Sequence, residues 1–183
     1  LRTMTRYFAF LRAINVGGHV VKMERLRRLF EGFGFSEVET FIASGNVIFR
    51  DGEQDTQLIE AQIEKGLQAE FGYEVAAFIR TETELTHLAA YKAFSDDQVK
   101  AATAYNVAFL HEPLDDPAKQ KLMGLKTEID DFVSHGRQVY WLCQKRQSES
   151  TFSNVVLEKR LGVRSTIRGV ATVQKLVAKF ARG

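Results

Sequence analysis

An α+β fold built from two similar units is what this sequence predicts, and three observations predict it. Strand-length apolar runs and helical stripes alternate in the same order twice along the chain. The 183 residues exceed the usual single-domain range of about 100–150, so the length fits one large domain or two small packed units. Hydrophobic residues make up 45% and charged residues 26%, the balance of a chain that buries a core rather than staying disordered.

Tyr7 to Ile14 reads as a central strand, because apolar residues fall on both of its faces. A loop with Gly17 and Gly18 follows. Leu26, Leu29, Phe30 and Phe33 then recur at helical spacing, and Gly32 and Gly34 mark the helix end. Val38–Ile42 and Val47–Arg50 are short strands around the turn Ala43-Ser44-Gly45-Asn46. Leu58, Ile59, Ile63, Leu67 and Phe71 form the stripe of a second helix ending at Gly72, and Val75–Ile79 closes the unit. The order β-α-β-β-α-β is the split, ferredoxin-like arrangement.

The second half repeats it. A short helix around Leu85–Ala89 takes Thr81 or Thr83 as its cap. Asn106–Leu110 is a strand, and Pro117 starts a helix with Asp115 or Asp116 near its N-cap. Asp131–His135 and Gln138–Cys143 make a hairpin around Gly136-Arg137. Phe152, Val155, Val156 and Leu161 form a helix stopped by Gly162. Ser165–Arg168 is a last strand, and Thr172 caps a final helix. The expectation is two ferredoxin-like α/β subdomains packed together, residues 4–81 and 82–183, the second with an extra C-terminal helix.

Charge is uneven. The net charge is only +2, yet residues 145–183 carry nine basic and two acidic residues. Cys143 is the one cysteine, which excludes an intrachain disulfide and a cysteine-based zinc site. The chain shows no membrane-length apolar run and no leader pattern, which points to a cytoplasmic protein.

The segment Leu11–Gly18 (LRAINVGG), with Phe41–Phe49 (FIASGNVIF) and Ser150–Gly169 (STFSNVVLEKRLGVRSTIRG), resembles a bacterial family known as domain of unknown function 1697. The order and spacing match from Met4 onward. The resemblance implies two ferredoxin-like subdomains and assigns no activity, catalytic residue or cofactor. After Arg168 the resemblance leads one to expect an Asn-Trp pair, and this chain has Gly169 and Val170. That replacement removes an amide that could bond a ligand and an aromatic that could stack on one.

Three constellations bear on function. Arg12, Asn15, Gly17, Gly18 and Lys22 place a glycine loop before a helix N-terminus, where free N–H groups and basic side chains suit an anion. The plainer reading is a turn whose glycines satisfy positive φ, since neither a P-loop nor a G-x-G-x-x-G spacing is present. Ser44 and Asn46 sit in a tight turn that joins two strands, unlike a nucleophile elbow, and would at most bond a ligand beside Asn15. Arg164 and Arg168, with Lys145, Arg146, Lys159, Arg160, Lys175, Lys179 and Arg182, form a basic C-terminal group suited to phosphate, or simply a solvated helical face.

His19, His87, His111 and His135 lack metal-ligand spacing, so no metal is expected. Cys143 ends an apolar run and reads as a core thiol. The best-supported function is binding of a small anionic or phosphate-bearing ligand between the subdomains, with Arg12, Asn15, Gly17, Gly18, Lys22, Ser44, Asn46, Arg164 and Arg168 as its set. The alternatives are a nucleic-acid-binding module through the basic segment or an enzyme acting on a phosphorylated small molecule. No catalytic residue stands out, and the sequence leaves enzyme status and oligomeric state open.

Overall fold

The computed structural model describes residues 3–12, 14, 18, 20–42 and 45–181. The chain divides into two compact units, the first running to Leu88 and the second beginning at Ala89.

In the first unit β1 (Met4–Leu11), α1 (Met23–Gly32), β2 (Ser36–Thr40), β3 (Asn46–Gly52), α2 (Thr56–Phe71) and β4 (Ala77–Thr81) follow in order, and α3 (Glu82–Ala90) runs across the boundary. The sheet order is β2-β3-β1-β4, with every neighbouring pair antiparallel. Strands joined through a helix therefore run parallel with one strand between them, which defines the split arrangement. The second unit begins with α4 (Asp96–Ala101) and continues through β5 (Ala104–Leu110), α5 (Asp116–Met123), β6 (Asp130–His135), β7 (Gln138–Cys143), α6 (Asn154–Leu161), β8 (Ser165–Gly169) and α7 (Val170–Phe180). Its sheet order, β6-β7-β5-β8, is the same pattern.

Each unit packs two helices on one sheet face. In the first, Leu26 and Phe30 of α1 and Ile59, Ile63 and Leu67 of α2 meet Tyr7, Leu11, Phe49 and Ile79. In the second, Leu122, Leu157 and Leu161 meet Leu110, Val139 and Trp141. The opposite sheet faces are also buried, through Phe8, Phe10 and Phe78 and through Val107, Phe109 and Tyr140. Burial on both faces explains why β1, β5 and β7 lack a polar alternation. Large aromatic side chains fill both cores: Phe35 and Phe49 lie 4.2 Å apart, and Trp141 meets Phe152 at 4.8 Å.

The repeat extends to individual hydrogen bonds. Leu11 N donates to Gly45 O, and Leu110 N donates to Arg137 O, each at 2.9 Å. Glu64 of α2 accepts from Ala77 N, and Glu158 of α6 accepts from Ser165 N, again at 2.9 Å. Ala77 and Ser165 open the edge strands β4 and β8, so a helix carboxylate occupies an outward amide that another strand could otherwise take.

Several sequence expectations need correction. The first strand ends at Leu11 rather than Ile14, because Arg12 bends away and its N–H bonds Ala76 O at 2.9 Å. β2 is Ser36–Thr40 rather than Val38–Ile42. A register shift between Ser36 and Glu39, with Glu37 at φ 48, and Ile42 at φ 57 break regular pairing there. β4 is Ala77–Thr81 rather than Val75–Ile79. Thr172 does not cap α7, which starts at Val170 with Gly169 as its N-cap. Phe152 is buried ahead of α6 rather than within it. Helix α4 was not anticipated, although Ser95 and Gln98 form a capping box at its start.

Gly45 is a position where backbone geometry decides. Its φ is 77, and an added Cβ would stand 3.0 Å from Leu11 Cβ. Gly72 has the same φ of 77 but open space around it. Gly45→Ala is therefore expected to cost about 2–3 kcal/mol, against about 1 kcal/mol for Gly72→Ala. Urea unfolding of both variants checks the difference, and equal losses would mean that the contact with Leu11 carries no weight.

Candidate functional site

The site with the fullest geometry lies at one end of the second unit, where β5 gives way to α5. Leu110 closes β5 and pairs with Ser165, the first residue of β8. That register sets the 111–115 loop beside the 161–164 segment. Gly162 caps α6 in the left-handed region at φ 68, turning the chain sharply into Val163 and Arg164. Across from it, Asp115 caps α5 by accepting from Ala118 N at 2.9 Å, with Pro117 in the first turn.

Between these segments is a cavity of about 380 Å3. Leu110, Leu114, Ala118, Leu161 and Val163 give it apolar walls, while His111, Glu112, Asp115 and Arg164 supply polar groups. Arg137 flanks the loop, its Nη1 donating to His111 O at 3.3 Å. Apolar walls with a few converging polar groups are the usual composition of a small-molecule pocket, and the size falls in the lower part of the usual range of about 300–1,000 Å3.

The glycine-loop candidates belong in sequence to the first unit, to the stretch from β1 to α1 and the stretch from β2 to β3. Among them Arg12, Gly18, Lys22 and Asn46 are described, whereas Asn15, Gly17, His19 and Ser44 lie outside the described residues. Arg12 is half-buried. Gly18 has φ 83 with nothing within 4 Å of an added Cβ. Lys22 precedes α1 in an extended conformation and its side chain makes no capping bond. Asn46 is buried and closes its own hairpin, Nδ2 donating to Phe41 O at 3.0 Å.

Arg164 and Arg168 part company. Arg164 lines the cavity, whereas Arg168 stands at the far end of β8, on the order of 13 Å along the strand. Arg168 Nη1 donates to Thr166 Oγ1 at 2.8 Å and to Ile167 O at 3.0 Å. Burial pushes its guanidinium down to about 10. The remaining basic residues are spread over several elements: Lys159 and Arg160 in the last turn of α6, where they complement the helix dipole, and Lys175 and Lys179 on α7. With Val107, Phe109, Tyr140 and Leu142 all buried, the second sheet offers these central side chains no exposed platform for stacking bases.

Cys143 is buried, and burial raises its thiol above the ordinary value, so it is a poor nucleophile. Among the described residues, no group of three or more His, Cys, Asp or Glu side chains is arranged to hold a metal ion. No helix among them is long and apolar enough to cross a membrane.

His111 and Arg137 were not singled out from sequence. Neither carries a motif: His111 joins Arg164 in the cavity lining, and Arg137 reaches the His111 carbonyl, only through the long-range pairing of β5 with β7 and β8.

A family model described as a protein of unknown function, DUF1697, matches residues 4–140. The chain is also similar in fold to a conserved bacterial protein from Streptococcus pneumoniae. The TM-score is 0.79 at 21% sequence identity, covering 98% of this chain and 100% of that one. No curated protein matches the sequence.

Proposed function

Because the chain belongs to the DUF1697 family of proteins of unknown function, we propose a role from the site itself: binding of a small anionic, phosphate-bearing molecule in the cavity between the β5–α5 loop and the α6–β8 turn. The observation that carries this reading is Arg164 beside an apolar-walled cavity at the N-terminal end of α5. A guanidinium can grip two phosphate oxygens at once, and the first-turn amides of a helix favour negative charge. The apolar walls suit the organic part of the ligand, and Asp115 and Glu112 offer acceptors for its hydroxyl groups. From the first unit the reading takes in Arg12, Asn15, Gly17, Gly18, Lys22, Ser44 and Asn46. We assign these residues to the same anion-binding role, and Arg168 to stabilising β8.

A thermal-shift screen with nucleotides and sugar phosphates tests this. Ligands that bind the folded state raise the melting temperature in proportion to occupancy. Arg164→Ala is expected to weaken the best hit about tenfold, a loss of roughly 1.4 kcal/mol. A flat screen, or a hit whose affinity Arg164→Ala leaves unchanged, overturns the proposal.

A further inference from the structure

A second cavity in the second unit has a different chemistry. It measures about 370 Å3 and lies among the segment following α3, helix α4, the start of β5 and Gln174 of α7. Three aromatic side chains line it, Tyr91, Phe94 and Tyr105, together with Val99, Lys92 and Lys100. It shares no lining residue with the Arg164 cavity.

Packing behind the cavity fixes these rings. Tyr91 lies flat on the His135 imidazole, with centroids 3.8 Å apart and planes within 5°. Tyr140 contacts Tyr91 at 5.5 Å and Tyr105 at 6.4 Å. Phe94 meets Tyr105 edge-on at 5.8 Å. Rings held this way lose little conformational freedom when a further ring joins them. A planar ring meeting such rings edge-on or offset gains more than its buried area alone provides.

The polar groups favour an anion. Lys92 and Lys100 are solvent-exposed, and the one carboxylate in the lining, Asp96, stands 3.5 Å from Lys92 Nζ. One positive charge is therefore in excess. The Tyr105 phenol is held above its ordinary value by burial, with the nearby Tyr91 adding to it, so at neutral pH it keeps its proton and can donate.

We propose that this cavity binds a small aromatic anion, a single planar ring bearing a carboxylate, with the ring against Tyr91, Phe94 and Tyr105 and the carboxylate toward Lys100. The matched probes are benzoate, cyclohexanecarboxylate and benzyl alcohol, titrated into the full chain and followed by amide NMR. Benzoate is expected to give saturable shifts at Tyr91, Tyr105 and Gln174. Cyclohexanecarboxylate, with the charge but no aromatic ring, should bind about fivefold more weakly. Benzyl alcohol, with the ring but no charge, should also be weaker.

Lys100→Glu changes an exposed side chain and is expected to lower benzoate affinity about tenfold. Val99→Trp fills the cavity and should abolish binding, and Lys100→Glu decides the matter alone if that variant fails to fold. Inorganic phosphate binding at the Arg164 cavity should be unchanged in Lys100→Glu, which separates this proposal from the one above. It is overturned if benzoate gives no saturable shift, if cyclohexanecarboxylate binds as tightly, or if Lys100→Glu leaves affinity unchanged.

Discussion

Replacing Asp130 by Ala is expected to destabilise the protein by about 3 kcal/mol or more. Asp130 is buried at the start of β6 and gathers three donors from separate segments. Its Oδ1 accepts from Trp141 Nε1 at 2.9 Å, and Thr127 Oγ1 donates to Oδ2 at 2.8 Å. Ser150 Oγ lies 2.9 Å from both carboxylate oxygens. The same Thr127 and Ser150 hydroxyls accept from Asp130 N and Phe152 N, so the carboxylate also orients the groups that hold the flanking chain. Without it, the indole N–H is buried with no acceptor, at a cost of about 1–3 kcal/mol by itself. Asp130→Asn keeps one acceptor oxygen and should lose about half as much. Urea unfolding measures both. Trp141 is the single tryptophan, so its emission reports directly on this site. A loss under about 1 kcal/mol for Asp130→Ala would mean that the network contributes little.

The second large effect concerns the edge of the first sheet. Glu60 of α2 is buried, its Oε2 accepts from Ile79 N at 2.8 Å, and it stands 4.0 Å from Arg80 Nη1. Arg80 is itself fully buried. Glu60→Ala strips an amide of its acceptor and takes a counter-charge from a buried guanidinium. The expected cost is about 3–5 kcal/mol. Glu64→Ala, at a half-buried position on the same helix, loses the bond from the Ala77 amide, a neutral donor, and should cost about 1 kcal/mol. Glu60→Gln keeps the acceptor but not the charge and should fall between them. Denaturation midpoints rank the three, and faster hydrogen exchange at Ile79 in Glu60→Ala would locate the damage at β4. Equal losses for Glu60→Ala and Glu64→Ala would contradict the role given to Arg80.

What was legible in the sequence follows from what each element buries. β1, β5 and β7 are apolar on both faces because both faces are covered, and such runs stand out. α2 and α6 show apolar residues at helical spacing and end at Gly72 and Gly162, which take the left-handed conformation expected of a glycine cap. Helix α4 buries none of its residues, so it has no stripe, and only its capping box betrays it. The limits of β2 depend on the bulge at Glu37 and the positive φ of Ile42, which propensity does not foretell for such residues. Thr172 looks like a cap by residue type, yet the β8 pairing of Gly169 with Asn106 carries the strand up to the helix and moves its start forward.

The candidate site was legible in part. Arg164 stood out within a basic segment, but its separation from Arg168 follows from an extended strand between them. The contributions of His111 and Arg137 arise only once β5, β7 and β8 lie in register. Gly169 and Val170 stand at the β8–α7 junction and are not among the residues that line the Arg164 cavity.

The most direct test of the phosphate-binding reading is an amide NMR titration of the full chain with ribose 5-phosphate. The reading predicts saturable shifts concentrated at residues 111–118 and 161–164, and their loss in Arg164→Ala. Shifts that scatter over the basic residues of α6 and α7 without saturating would mean only diffuse attraction to positive charge, and would contradict it.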